Sequence, residues 1–312
     1  MARKILVLGN SNVDFVFKIP RFHHPGETML ADSLGTFFGG KGANQAITAK
    51  RLGGNVQLIT KVGNDHYGKS YRHHLIKSGL NPKLILEDKK LQTGTAAIEL
   101  TAKGENRIIA FLGANGSLSV NDLKRLNRHW KGVGVFVTQL EIPLATVERG
   151  LKIAKGHGAL TLLNPSPPAR LSSDLLRLVD FIVPNEVEAQ LLTGIKWKGD
   201  QEIRKMAKRL LDMGVKNVVI TLGPKGLFFK NNSQEFWMEA FKVKAVDTTA
   251  AGDAFLGALA SGLSENKPLR EVLESANGAG ALATTKLGAQ PSLPLRKDLE
   301  AFLSKMRRSF ED

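Results

Sequence analysis

The chain contains no cysteine, which removes disulfide scaffolds, thiolate zinc sites and cysteine nucleophiles together. It has no apolar run near the roughly 20 residues that a membrane helix needs. The first ten residues hold a basic pair and only a short apolar stretch, too little for a secretory leader. A cytoplasmic protein is expected. Aromatics are scarce at 6%, and acidic residues are in deficit: 29 Asp and Glu stand against 44 Lys and Arg, a formal net charge of +15. Such a balance raises nucleic-acid binding. The cations are scattered, however, without a run of five or six like charges. No nucleic-acid or membrane partner is expected, and the charge suits a basic enzyme that handles anionic small molecules.

The 312 residues suffice for one large α/β domain or two small ones. Apolar residues at 42% and charged residues at 23% exclude a disordered chain. Short β-branched runs alternate with helix-length amphipathic stretches. Strands are expected at 5–10, 56–62, 133–140, 159–164, 181–185, 217–223 and 227–230. Helices are expected at 42–52, 65–78, 118–128, 144–155, 186–192 and 203–213. Solidly apolar strands such as 133–137 suit a sheet covered on both faces, and the alternation predicts mostly parallel pairing. Two stretches break the rhythm. Residues 15–38 are extended around Pro20, Pro25 and Gly26, and 95–111 alternate around a turn signal at 102–106. Both read as excursions that pair into a small β-flap.

Several motifs fail on inspection. Residues 35–41 match the start of a phosphate-binding P-loop, but Gly42 stands where the Mg²⁺-binding Ser or Thr belongs. Residues 278–283 spell a dinucleotide fingerprint inside a long small-residue helix, where glycines serve close helix packing. The seven histidines show no HExxH spacing, so no protein-built transition-metal site is expected.

Three segments survive. In Asp247-Thr248-Thr249-Ala250-Ala251-Gly252-Asp253, small residues precede an acid and an apolar helix follows over 254–263. The free N–H groups of a helix start can hold a phosphoryl group, while the carboxylate accepts a proton from an attacking hydroxyl. Asp253 could equally be an ordinary helix N-cap. In Phe38-Gly39-Gly40-Lys41-Gly42-Ala43-Asn44, the glycines admit a ligand to the backbone, and Lys41 and Asn44 offer donors; a turn capping the next helix is the plainer reading. Gly9–Asp14 places polar residues at the end of the first strand, where open α/β sheets bind ligands.

With Asn164-Pro165, Asn185-Glu186-Val187-Glu188, Thr221-Leu222-Gly223-Pro224-Lys225-Gly226 and the tail Thr285–Ser292, these segments resemble the ribokinase-like (PfkB) family of carbohydrate kinases, in the family's order and over residues 5–299. One departure is Ala250, where the family's second signature usually has Gly, which puts a methyl near the phosphate path.

The resemblance implies a doubly wound α/β core flanked by helices (1–13, 41–93 and 112–312) with a small β-sheet lid inserted as 14–40 and 94–111. It implies ATP-dependent phosphorylation of D-ribose at O5, with Asp253 as the base and the N–H groups of Ala250, Ala251 and Gly252 around the phosphoryl. Sugar contacts would fall on Asn12, Val13, Asp14, Gly40, Lys41, Gly42, Ala43, Asn44, Glu141 and Asp253. Nucleotide contacts would fall on Asn185, Thr221, Leu222, Gly223, Pro224, Lys225, Gly226, Gly252, Asp253 and Asn277. Glu188 would help to place Mg²⁺ through water, although a first-turn acid is also favoured there by the helix dipole. An activating K⁺ would sit among Asp247, Thr249, Ala283, Lys286, Gly288 and Ser292. A homodimer is implied too, joined through lids whose apolar face carries Phe15, Phe17, Ile19 and Ile98. Alternatives are a kinase for 2-deoxyribose or a nucleoside and, outside catalysis, a silent sugar or nucleotide sensor. The polar Asn12, Asp14 and Asn44 favour ribose over 2-deoxyribose.

Overall fold

The computed structural model describes residues 2–102 and 104–308. Met1, residues 309–312 and Lys103, in the expected turn at 102–106, lie outside the described residues. The strands in chain order are β1 (Lys4–Leu8), β2 (Asn12–Ile19), β3 (Ser33–Gly39), β4 (Val56–Gly63), β5 (Ile85–Asp88), β6 (Gly94–Thr101), β7 (Asn106–Phe111), β8 (Val133–Thr138), β9 (Leu160–Leu163), β10 (Phe181–Ile182), β11 (Asn217–Thr221), β12 (Leu227–Asn231) and β13 (Glu235–Met238). The α-helices are α1 (Lys41–Arg51), α2 (His66–Lys77), α3 (Val120–Arg125), α4 (Leu144–Gly156), α5 (Ser173–Leu176), α6 (Glu186–Thr193), α7 (Asp200–Asp212), α8 (Ala251–Ser264), α9 (Leu269–Ala283), α10 (Ala289–Ser292) and α11 (Arg296–Arg308).

The large sheet runs β13-β12-β11-β10-β9-β8-β1-β4-β5 and is parallel except at β12 and β13. Its central strands β1, β8 and β9 are almost wholly apolar because both faces are buried. Ile5 and Val7 of β1 point into one core with Ala46, Tyr71, Phe255 and Leu273, from α1, α2, α8 and α9. Leu6 and Leu8 point into the other with Leu123, Leu151 and Met206, from α3, α4 and α7. Period two therefore serves two helical layers at once. Strand β10 is shorter than the expected 181–185 because Pro184 lacks a donor and Asn185 already caps α6. The expected helix at 118–128 breaks after Arg125 into a 3₁₀ turn at Asn127–Trp130.

The second sheet, β3-β2-β6-β7, is the lid. Its two excursions pair through β2 and β6, in parallel, from Asn12 opposite Gly94 to Ile19 opposite Thr101. Asn12 and Val13, assigned to the core by the sequence boundary at 14, thus belong to the lid sheet. The expected apolar face is also corrected. Ile19 and Ile98 are buried, and Phe15 lies edge-on to Tyr67 of α2. The loop after β2 returns over the sheet, with Phe22 under Arg107 and His23 on Glu99. The exposed apolar side chains are instead Leu34, Ile108, Ile109 and Phe111.

Strand β1 has β4 on one side and β8 on the other, so the chain changes direction across the sheet beside β1. Such a switch point opens a cleft at the carboxyl ends of the strands. Helix α8 starts there and is buried from Asp253 to Ser264. It crosses α1 closely: a Cβ on Gly257 would lie 2.5 Å from Thr48 Cβ and 2.7 Å from the Gln45 carbonyl oxygen. Gly278 has the packing role expected of it, with Leu303 of α11 2.8 Å from where its Cβ would be. Gly257→Ala is expected to force α1 from α8 and lower stability by about 1–3 kcal/mol. An unchanged urea midpoint would show that the crossing has slack.

Candidate active site

The site is assembled where β1, α1, β8 and α8 meet. Gly42 lets α1 start against the end of β1, since a Cβ there would lie 2.6 Å from the Gly9 carbonyl carbon. No side chain of α1 caps it. Asn10 does so from β1's end: its Oδ1 accepts from the Gly42 N–H at 3.0 Å and its carbonyl from the Ala43 N–H at 3.0 Å. The Asn10 Nδ2 donates to Glu141, just beyond β8, and Lys41 Nζ reaches Glu141 Oε1 at 2.5 Å.

Asp253 occupies the third position of α8, behind an N-cap Ala250 in the left-handed region at φ 61°. A methyl-bearing residue there costs about 1–2 kcal/mol. The Asp253 carboxylate does not cap its own helix. Its Oδ2 accepts from Asn44 Nδ2 and its Oδ1 from Gln45 Nε2, each at 2.9 Å. Gln139 Nε2 in turn holds Gln45 Oε1 at 2.5 Å. The helix-cap reading of Asp253 is thereby overturned. Burial pushes its pKa up to about 6, against the charge of Lys41 and the two amide donors. Asp14 is pushed up to about 7, by burial first and then by Glu141 and Asp253. Burial pulls Lys41 down, but Glu141 and Asp253 outweigh it, so the ammonium is strengthened.

Asn12 Oδ1 accepts from Asn115 Nδ2 at 2.8 Å, which engages its oxygen and not its amide hydrogens. Asn44 Oδ1 is buried with no hydrogen-bond partner. Val13 and Ala43, both expected as sugar contacts, are fully buried in the apolar core, so only their backbone can serve a ligand.

A shelf lies at the ends of β10 and β11, where Asn185 bridges to Thr221. Asn185 and Glu188 form a capping box on α6: the Glu188 N–H donates to Asn185 Oδ1 at 2.8 Å, and Glu188 Oε2 accepts from the Asn185 N–H at 3.0 Å. The first-turn reading of Glu188 is therefore realised. Burial raises its pKa, and Lys41 acts against that. The Glu188 carboxylate is thus held by the Asn185 N–H and also takes a hydrogen bond from the Ser166 side chain. Gly223–Lys225 form a 3₁₀ turn, with Lys225 over the Trp197 ring at 5.3 Å, while Leu222 is buried in the core. Asn277 Nδ2 donates to the Glu239 carbonyl at 2.7 Å.

Beside the start of α8, Asp247 joins two loops. Its Oδ1 accepts from the Thr249 N–H at 2.9 Å and its Oδ2 from the Gly288 N–H at 2.8 Å. It is buried, and no Lys or Arg pairs with it among the described residues. That donor set suits a monovalent cation. Ala283 lies in the core, Lys286 is exposed, and Ser292 Oγ donates to the Ala289 carbonyl, so these three would serve through backbone carbonyls.

The sequence matches the family model of pfkB family carbohydrate kinases over residues 2–296. The chain belongs to that family. It is 38% identical to a ribokinase of Staphylococcus aureus over 96% of this chain and 99% of the relative. It is 35% identical to a deoxyribokinase of Salmonella typhimurium, over 96% and 98%. The fold matches a ribokinase crystal structure from Thermotoga maritima with a TM-score of 0.86, 36% identity and coverage of 97% and 100%. An Arabidopsis thaliana ribokinase complexed with ribose and ATP gives a TM-score of 0.87 at 30% identity, covering 97% and 99%. The doubly wound, mostly parallel sheet with its small lid is the family fold.

This pfkB kinase also uses residues that the sequence did not single out: Asn10, Gln45, Asn115 and Gln139. Asn10 sat in view within Gly9–Asp14, and Gln45 directly follows Asn44. The two glutamine amides order Asp253 by bonding to its charged form or to each other. Gln45→Met removes one donor, so the Asp253 pKa is expected to rise further. Loss of kcat/KM on acidification would then begin about half to one pH unit higher than in the parent. A profile unmoved below pH 7 would show that Gln45 does not tune the carboxylate.

Proposed function

We propose that the chain transfers the γ-phosphoryl group of ATP to the O5 hydroxyl of D-ribose, giving ribose 5-phosphate and ADP. The observation that carries this reading is Asn44 Oδ1, a buried acceptor without a partner, beside two desolvated carboxylates. A neutral polyol supplies what that pocket lacks: hydroxyl donors for Asn44, Asp14 and Asp253 and acceptors for Asn12 and Lys41. Asp253 takes the O5 proton as O5 attacks the γ-phosphorus, and releases it to solvent after ADP departs. The N–H groups of the first turn of α8 receive the transferring phosphoryl. Gly252 and Asp253 lead this set, because the Ala251 N–H already reaches the Thr248 carbonyl at 3.3 Å. ATP lies along Asn185, Thr221, Gly223–Gly226 and Asn277. Mg²⁺ carried in with ATP would neutralise phosphate charge, and Glu188 would hold its water shell. K⁺ would sit at Asp247, with carbonyls of Thr249, Ala283, Lys286, Gly288 and Ser292.

The lid supports a homodimer. Its edges β3 and β7 are unpaired among the described residues, and they carry the exposed side chains Leu34 on β3 and Ile108, Ile109 (77% exposed) and Phe111 on β7. Light scattering is expected to give twice the 33.9 kDa of the chain; a monomer at micromolar concentration would refute this.

Asp253→Asn is expected to lower kcat by about 10²–10⁴ while ribose binding persists. Near-normal turnover would remove the base from the mechanism. The resemblance to deoxyribokinases makes 2-deoxyribose the competing substrate. A pocket whose polar groups are left unpaired rejects the analogue that lacks a hydroxyl. We expect at least ~10-fold higher kcat/KM for D-ribose, about 1.4 kcal/mol, and higher rates in K⁺ than in tetramethylammonium. Measuring both sugars in both salts decides it. Equal values for the sugars would make this a general pentose kinase, and equal rates in the salts would remove the cation.

A further inference from the structure

The tail Thr285–Ser292 contains a buried polar side chain, Gln290, that has no part in the ATP and cation sites proposed above. Both ends of that side chain are engaged. Its Nε2 donates to Tyr71 Oη at 2.6 Å, and its Oε1 meets His74 Nε2 at 2.7 Å. Its carbonyl accepts from Arg51 of α1 at 2.7 Å. Tyr71 Oη then donates to the Gly39 carbonyl at 2.5 Å. Phe38 stacks on the Tyr71 ring, with centroids 4.5 Å apart and planes at 16°.

Both ends of this chain of contacts are functional. Gly39 leads through Gly40 into Lys41 and faces Asp14 so closely that a Cβ on it would lie 1.9 Å from Asp14 Oδ2. At the other end Gly288, two residues before Gln290, donates to Asp247, which also holds the Thr249 N–H before α8. A second contact runs alongside: Phe37 of lid strand β3 would touch a Cβ on Gly288 at 3.0 Å. Tyr71 and Gln290 are 0% and 2% exposed. A buried polar pair of this kind fixes one relative placement of the segments that it joins, because any slip strands a carbonyl or an amide.

We propose that Tyr71 and Gln290 are positioning residues that tie the glycine loop around the sugar to the tail loop around the monovalent cation, so that sugar and cation each strengthen binding of the other. The proposal rests on the cation site inferred above. Coupling of this type is reciprocal and is usually worth ~5–150-fold in affinity.

The test is calorimetric titration of D-ribose into the nucleotide-free protein, in K⁺ and in tetramethylammonium. The parent is expected to bind ribose at least ~5-fold more tightly in K⁺. Tyr71→Phe keeps the stacked ring and Gln290→Met keeps the chain length. In each, the ratio should fall towards one, chiefly by weakening ribose in K⁺. Thermal melts establish that each variant is folded, and either one suffices. A ratio near one in the parent, or a parental ratio in the folded variants, overturns the coupling. Turnover separates the two readings: K⁺-dependent rates with cation-independent ribose affinity sink the relay alone, whereas cation-independent rates and affinity sink both.

Discussion

The structure is organised around keeping one carboxylate ionised where water is largely excluded. An unpartnered buried acid escapes the cost of desolvation by taking up a proton, and would then be useless as a base. Asp253 avoids this through amides from consecutive residues of α1, Asn44 and Gln45, one to each oxygen. Two neighbours on a helix point about 100° apart, so both reach one carboxylate only if the helix end aims at it from close range. That requirement explains the crossing at Gly257, where α8 comes within a methyl's width of α1. The result is a pKa of about 6, raised by burial yet low enough for the charged form to prevail at neutral pH.

The aim of α1 depends in turn on Asn10. One side chain caps α1 through Gly42 and also grips Glu141, which carries the Lys41 ion pair. The end of β1, the start of α1 and the turn after β8 are thus set by a single amide at the switch point of the sheet. Gly42 is obligatory because the Asn10 cap draws the helix against the Gly9 backbone.

This dependence sets what could be read from the chain. Continuous apolar runs announced the buried parallel strands, and the small residues before Asp253 announced a helix start with an acid beside it. Gln45 and Gln139 were silent, since glutamine is an ordinary helix and surface residue until tertiary structure buries it. The lid misled for a related reason. Alternation in β2 shows that Phe15, Phe17 and Ile19 share a face, but it cannot show that Tyr67 of α2 and the loop after β2 pack over part of that face. Glu188 illustrates the reverse case, in which a local rule suffices: Asn185 three residues earlier predicts the capping box found there.

The charges at the cleft also decide which substrate goes where. Asp14, Glu141 and Asp253 lie around a single ammonium, Lys41, so carboxyl groups outnumber cations in the inner pocket of a protein of net charge +15, even though burial favours the protonated form of Asp14. A triphosphate entering it would meet more carboxylate charge than Lys41 offsets, at low dielectric where repulsion is poorly screened. A neutral sugar meets no such barrier and offers hydroxyl protons to the same oxygens. Phosphate is instead favoured one step outwards, at the N-terminal turn of α8, where unpaired N–H groups and the positive end of the helix dipole face it. Asp253 stands on that turn with its carboxylate directed inwards to Asn44 and Gln45. The proposed base and the proposed phosphoryl site are therefore parts of one turn of helix that face opposite sides of the boundary between neutral and anionic ligands. The hydroxyl to be phosphorylated has only that boundary to cross.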